Sequence, residues 1–172
     1  MTGLKNRCAL LISLQRAIDK SREQQNYAAV LLIDMDDFKS HNVRLGHLVG
    51  DMLLQQSARR ISQALGPHVA VARLFADKFL VVLEELGTTV EDAGANAQHA
   101  AIRVRNCFAQ AFDINATTVH ASVSMGHCLV GMQDAVSTDV LIDRAERVTY
   151  TAKQAGGDCI FSFEFGAMEL DA

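Results

Sequence analysis

Apolar residues along this chain alternate between helical spacing and continuous runs, and the alternation predicts the elements in order. From about position 5 to 24, leucine and isoleucine recur at helical spacing between charged residues, which predicts an amphipathic opening helix. The next segment, YAAVLLIDMD, is a continuous apolar run that ends in acids. It predicts a strand buried on both faces, with carboxylates at its C-terminal end, where ligands usually bind.

After this strand the pattern returns to helical spacing and then to β-rich runs. A helix is predicted from about 49 to 65, closed by Gly66 and by Pro67, the single proline of the chain. The runs VAVARLF and KFLVVLEEL follow. They predict two strands joined as a tight hairpin near Ala76 and Asp77.

The second half of the chain repeats the alternation. An alanine-rich helical pattern covers about 91 to 109, and DINATTVHASVSMGHCLV then turns and alternates as paired strands do. A last helix is predicted from about 139 to 155, ending at two glycines before a terminal strand, CIFSFEF. This order predicts an α+β fold, with one mainly antiparallel sheet and helices packed over it.

Composition narrows the function classes. The 172 residues are 49% hydrophobic, which is enough to bury the core of a single domain spanning 1–172. A formal net charge of −4 argues against nucleic acid or a membrane surface as a partner, so a phosphate-bearing ligand would need a local site. No apolar run is long enough to suggest a membrane span or secretion signal, and a cytoplasmic location is predicted.

Cysteine and histidine spacing does not suggest a metal site. The four cysteines are far apart in sequence and lie among apolar residues, so they are predicted to be buried, reduced thiols. Of the six histidines, His41, His120 and His127 are predicted to lie in turns or at the surface.

Acidic residues cluster at the end of the first predicted strand. Asp34, Asp36 and Asp37 offer the oxygen ligands that Mg²⁺ prefers. Acids at a strand end are also common in solvated turns, so local sequence leaves both interpretations open.

The segment that begins at these acids resembles a family signature. DMDDFKSHNVRLGHLVGD is similar to the GGDEF pattern D-x-D-x-F-K-x-x-N-D-x-x-G-H-x-x-G-D, with Val43 in place of the second Asp of N-D. Three other segments, TGLKNR, SVSMG and RAERVTYTAKQAGG, resemble further family motifs in the right order. The matching signature residues are Asp34, Asp36, Phe38, Lys39, Asn42, Gly46, His47, Gly50 and Asp51.

The resemblance implies a fold, a ligand and a chemistry. Members of this bacterial signalling family have a ferredoxin-like, nucleotidyl-cyclase-like core, and active members make cyclic di-GMP from two GTP with two Mg²⁺ ions and paired domains. By position, Asp34 would bind metal, Asn42 and Asp51 would bind the guanine edge, and Lys39 and Lys153 would contact phosphates. From local sequence alone, a role for Asn42 and Asp51 as caps of turns and helices is favoured over guanine binding.

The motif that names the family is altered here. It falls on Phe75, Ala76, Asp77, Lys78 and Phe79, of which only Asp77 and Phe79 keep the family residue. Side chains at the two glycine positions are expected to obstruct positive φ and the approach of GTP. Lys78 replaces a metal-binding glutamate, and a cation beside Mg²⁺ is repelled by about 4 kcal/mol per close pair near a protein surface. The metal site of Asp34 and Asp77 is therefore predicted to be weak or lost.

Two further positions depart from the family. Gly157 stands where the family has a closing arginine, which removes a phosphate contact. The product-binding pattern R-x-x-D would fall on Gly66–Val69, where GPHV has neither charge. Feedback inhibition by cyclic di-GMP at that surface is not expected.

These departures predict a catalytically inactive GGDEF domain, with no catalytic residue expected in the motif remnant. By resemblance, such a domain acts as a regulatory or interaction module, binding GTP to control a tethered EAL phosphodiesterase domain, with a sensor domain before it. The sequence is thus expected to be a fragment of a longer, membrane-anchored or cytoplasmic signalling protein. Two alternatives remain open at this point: a weak diguanylate cyclase, and a homodimerising scaffold that binds no nucleotide.

Overall fold

The computed structural model describes residues 4, 7–131 and 134–163. In that part of the chain there are five helices and seven strands. The helices are α1 (Arg7–Glu23), α2 (Phe38–Leu45), α3 (His47–Leu65), α4 (Val90–Phe108) and α5 (Thr138–Gln154). The strands are β1 (Ala28–Met35), β2 (Ala70–Phe75), β3 (Lys78–Leu83), β4 (Phe112–Ile114), β5 (Thr117–Val119), β6 (Val123–Val130) and β7 (Ile160–Phe163).

Five of the strands form the central sheet, in the order β2-β3-β1-β6-β7. The neighbouring pairs among β2, β3, β1 and β6 are antiparallel, and β7 joins β6 in parallel. Strands β4 and β5 form a separate hairpin. The predicted α+β fold with a mainly antiparallel sheet is confirmed.

Strand β1 lies at the centre of the sheet, and all eight of its residues are buried. Leu31 and Ile33 belong to the core beneath α3 and α4, whereas Val30 and Leu32 belong to the core beneath α1 and α5. Each such aliphatic side chain contributes about 2 kcal/mol on burial. The continuous apolar run is therefore explained by helices on both faces of the sheet.

Helix and strand boundaries follow the predicted pattern closely. The predicted hairpin forms from β2 and β3, and α3 ends at Leu65 with Gly66 at φ 94°. Two helices, α2 and α3, lie between β1 and the hairpin, and they meet at Gly46, whose φ is 86°. Most of the TGLKNR motif and the end of the predicted last strand lie outside the described residues.

Two sequence predictions about polar residues are wrong. Cys8 is exposed on α1, whereas Cys128 is buried in β6, where burial raises the pKa of its thiol to about 12. His127, predicted at the surface, is only 3% exposed in the middle of β6. Both faces of β6 are covered, so the polar positions in its alternating sequence do not mark an exposed face.

Candidate functional site

The candidate site lies where the end of β1 meets the β2–β3 hairpin and the last turns of α5. The strand register places Asp34 of β1 opposite Lys78 of β3 and opposite Ser124 of β6. The altered family motif and the first signature aspartate are thus neighbours across one sheet. This proximity is set by the pairing of β1 with β3, and the turn at Ala76 and Asp77 immediately precedes β3.

Two ammonium groups face the carboxylate of Asp34, whose side chain is 10% exposed. Lys153 Nζ lies 2.6 Å from Oδ1 and also donates to the carbonyl oxygen of Met35 at 3.1 Å. Lys78 Nζ lies 3.7 Å from Oδ2. Burial raises the pKa of the Asp34 carboxyl, and the contact with Lys153 offsets part of that increase.

The ammonium group of Lys78 lies among several weaker contacts. It is 4.0 Å from Glu146 Oε1 on α5 and 4.9 Å from the centroid of the Phe75 ring. Neither carboxylate near it is within hydrogen-bond distance, and its side chain is 25% exposed. The three N–H donors of this ammonium group therefore remain available to a bound anion.

The hairpin turn forms although both of its expected glycines are missing. Ala76 adopts φ 47°, and its carbonyl oxygen accepts a hydrogen bond from Arg73 Nε at 2.7 Å. A non-glycine residue in this left-handed region costs about 1–2 kcal/mol. The expectation that a side chain would prevent positive φ is therefore wrong, because the turn forms with alanine. The strain of that conformation remains. Phe75, the last residue of β2 before the turn, is 51% exposed.

The second signature aspartate, Asp36, is held by the protein itself. Its carboxylate accepts hydrogen bonds from the hydroxyls of Ser122 at 2.7 Å and Ser124 at 2.6 Å, and from the backbone N–H of Asp158 at 3.0 Å. Asp36 thus ties the end of β1 to the start of β6 and to the loop after α5. Neighbouring Asp37 is exposed and makes no capping hydrogen bond to α2.

Gly157, which stands where the family has its closing arginine, lies in the same loop after α5. Gly157 has φ 77°, and a Cβ atom there would lie 3.3 Å from the Asp36 carboxylate. A side chain at this position would meet both backbone strain and a tight contact. Glycine is the residue that this close approach requires.

The predicted guanine-binding residues lie on α2 and α3. Asn42 packs against Gly50 so closely that a Cβ atom on Gly50 would lie 1.8 Å from Asn42 Oδ1. Asp51 and Lys39 are exposed. The structure thus brings Asn42 to the helix that carries Asp51, whereas among the described residues Asp34 forms its ion pairs with Lys78 and Lys153.

A cavity of about 730 Å³ borders α2 on the side of Asp36 and Asp37. Its α2 wall is made by Ser40, His41 and Arg44, and Lys39 and Asn42 are not part of it. Among the residues that the structure describes, no three His, Cys, Asp or Glu side chains are grouped so that they could hold a metal ion.

Four residues of this region were missed by the sequence reasoning. Ser122, Ser124 and Asp158 hold Asp36, and Glu146 faces Lys78. Ser122 and Ser124 lie within the SVSMG motif, so strand alternation could have suggested that they share a face. Nothing in the local sequence pointed to the backbone of Asp158.

Comparison with known proteins decides the family. A family model described as "Diguanylate cyclase, GGDEF domain" matches residues 1–159. The chain belongs to the GGDEF family. Members of this family act in cyclic di-GMP signalling and generally use GTP and Mg²⁺.

Relatives and solved structures agree with this assignment. The GGDEF domain of TpbB (YfiN) from Pseudomonas aeruginosa superposes with a TM-score of 0.88 at 31% identity, covering 96% of this chain and 100% of that one. The bifunctional diguanylate cyclase/cyclic di-GMP phosphodiesterase MucR from Pseudomonas aeruginosa is 31% identical over 97% of this chain and 24% of its own length. The cyclic di-GMP phosphodiesterase PdeR from Escherichia coli is 31% identical over 95% of this chain and 24% of its own length.

The chain spans only about a fifth to a quarter of the length of the first curated relatives it matches. Within the described residues, no helix combines the length and apolar character needed to cross a membrane.

Proposed function

We propose that this GGDEF domain does not make cyclic di-GMP and serves as a regulatory and interaction module, binding GTP to control a tethered EAL domain. One observation carries the proposal: the Lys78 ammonium lies 3.7 Å from Asp34 Oδ2, the carboxylate that would hold a catalytic metal. A fixed positive charge at that distance competes directly with a divalent cation for the same oxygen.

The remaining acids do not compensate for this change. Asp36 already accepts three hydrogen bonds, and Glu146 lies next to the same lysine, 4.0 Å from its Nζ. Two-metal phosphoryl transfer needs carboxylates that are free to bridge both ions. The residues present therefore fit a pair of Mg²⁺ ions poorly, and no catalytic step is assigned to this chain.

Binding of GTP is supported by the groups that survive. Asn42 and Asp51 keep the donor and acceptor chemistry suited to a guanine edge, and exposed Lys39 and partly exposed Lys153 suit phosphate oxygens. A bound nucleotide can regulate a neighbouring domain only if it binds two domain arrangements with different affinity. A tethered EAL domain fits the relatives, because both MucR and PdeR are named as cyclic di-GMP phosphodiesterases.

Incubation of the purified protein with GTP and Mg²⁺, followed by chromatography of the products, tests the loss of catalysis. No cyclic di-GMP is expected. Product that disappears in the Asp77→Ala variant would instead establish a weak cyclase. Replacing Phe75 and Ala76 by glycine and Lys78 by glutamate together is expected to restore Mg²⁺-dependent binding of GTP.

Regulation is tested in the full-length protein. Adding GTP is expected to change its rate of cyclic di-GMP hydrolysis, and Lys153→Ala is expected to remove that change. Lys20→Ala is the matched control, because Lys20 is an exposed lysine paired with Glu84 and Glu85 on another part of the surface. A hydrolysis rate that is indifferent to GTP, in a protein that still dimerises, would favour the nucleotide-free scaffold.

A further inference from the structure

The charges around Asp34 differ in kind from those of a metal site. A single carboxylate with a 10% exposed side chain faces two ammonium groups, and one of these, Lys78, is not hydrogen-bonded to either carboxylate beside it. The Lys78 ammonium group could therefore attract a bound anion without a metal ion.

We propose that this site takes a nucleoside triphosphate in its metal-free form, with the Lys78 ammonium in place of a divalent ion, so that Mg²⁺ weakens binding. The inference rests on the nucleotide binding proposed above and adds the sign of its metal dependence. Metal-dependent binding is what the family resemblance implies, so the two expectations are opposite.

Lys78 and Lys153 have different parts in this arrangement. Lys153 is anchored by contacts of 2.6 Å to Asp34 Oδ1 and 3.1 Å to the Met35 carbonyl oxygen. Lys78 is held only by the longer contacts to Asp34, Glu146 and the Phe75 ring. Turning the Lys78 ammonium toward phosphate oxygens therefore breaks no short hydrogen bond to either acid, whereas moving Lys153 would.

The expected effect of Mg²⁺ follows from charge. A triphosphate that chelates Mg²⁺ carries two fewer negative charges, so it attracts the ammonium groups less. The chelated ion would also be brought toward Lys78, which repels it. Asp34 cannot reverse this balance, because its carboxylate is already opposed by two cations.

Calorimetric titration of GTP into the wild-type domain at constant ionic strength, with EDTA or with excess Mg²⁺, provides the test. Binding is expected to be about five- to tenfold tighter in EDTA, the scale of one charge pair in contact with water. Equal affinity, or tighter binding with Mg²⁺, would overturn the inference while leaving the proposed nucleotide role intact. No binding under either condition would overturn both the inference and the GTP part of the proposed function.

Three variants sharpen the result, with circular dichroism as the check on folding. Lys78→Met keeps most of the side-chain length and is expected to lose the advantage of EDTA. Lys78→Glu is expected to reverse it, so that Mg²⁺ tightens binding. Asp34→Asn removes the internal counter-charge and is expected to tighten metal-free binding several-fold. Loss of binding by Asp34→Asn in excess Mg²⁺ would show that the carboxylate acts as a metal ligand and would also overturn the inference.

Discussion

Asp34 and Asp36 stand two residues apart at the end of one strand, and their surroundings give them different tasks. Asp34 faces two lysine ammonium groups on long side chains, one of them at 3.7 Å. Asp36 is held at 3.0 Å or less by two serine hydroxyls and a backbone N–H. Lys153 is anchored by a 2.6 Å contact, but the more loosely held Lys78 can turn toward an incoming ligand, whereas hydroxyls and amides fixed in the fold cannot. Asp34 is thus an ion-pair partner of two lysines, and Asp36 is a hydrogen-bond acceptor that joins parts of the fold.

The largest expected effect separates these two tasks by stability. Asp36→Ala leaves three donors without their acceptor, including the hydroxyl of Ser124, which is fully buried. We expect the free energy of unfolding to fall by about 3 kcal/mol. Asp34→Asn removes a desolvated charge whose partners can reach water, and it is expected to change stability by at most about 1 kcal/mol. Urea denaturation of both variants measures the difference.

Asp37→Asn is the control for that experiment, since Asp37 is the exposed neighbour and forms no cap. It is expected to behave like the wild type. If Asp36→Ala proved as stable as Asp37→Asn, the structural role of Asp36 would be wrong.

The parts of this arrangement that local patterns predict are those built from nearby residues. The buried run of β1 and the turn at Ala76 and Asp77 can be recognised in the sequence, whereas the position of Lys78 beside Asp34 depends on the long-range pairing of β1 with β3. The partners of Asp36 cannot be predicted from local sequence patterns either. Ser122 and Ser124 lie 86 and 88 positions away, and only the pairing of β6 with β1 brings them close.

Family resemblance suggested a ligand and a reaction, which local patterns could not do, but it did not predict the contacts that each residue makes. It implied metal binding by Asp34 and gave Asp36 no separate role, whereas the structure shows that Asp36 accepts three hydrogen bonds within the fold. The left-handed conformation of Ala76 was not predicted either, because it follows from closure of the hairpin rather than from the preference of alanine.

A second expected difference concerns pH, and it has opposite signs in the two regions. Burial raises the pKa of Asp34, so the folded state binds a proton there more readily than the unfolded chain does. As the pH falls through that raised pKa toward 3.8, Asp34 adds stability relative to Asp34→Asn. The hydrogen bonds from Arg105 lower the pKa of Asp158, in the loop held by Asp36. The stability from Asp158 is present above 3.8 and is lost as the pH falls through its lowered pKa.

Unfolding free energies between pH 7 and pH 3, compared among the wild type, Asp34→Asn and Asp158→Asn, measure both signs. Relative to the wild type, Asp34→Asn is expected to fare worse at low pH than at neutral pH, and Asp158→Asn is expected to fare better. Parallel curves for the two variants would contradict the assignment of separate electrostatic surroundings.

The smallest expected effects come from two residues with positive φ, one in each region. A Cβ atom at Gly157 (φ 77°) would lie 3.3 Å from the Asp36 carboxylate. Gly157→Ala is therefore expected to lower the free energy of unfolding by about 1–2 kcal/mol. Ala76 (φ 47°) has the reverse problem, and Ala76→Gly should relieve its strain. Because glycine loses more backbone entropy on folding, the net gain is expected to be only about 0.5 kcal/mol.

Ala109→Gly is the matched control for the gain, because Ala109 is exposed and has an ordinary helical φ of −60°. That variant is expected to lose stability, by about 0.5–1 kcal/mol. Thermal unfolding of the three variants would place Ala76→Gly above the wild type and the other two below it. A loss in Ala76→Gly comparable with that in Ala109→Gly would mean that the hairpin at the site stores no strain, and that its alanine is as well accommodated as the glycine beside Asp36.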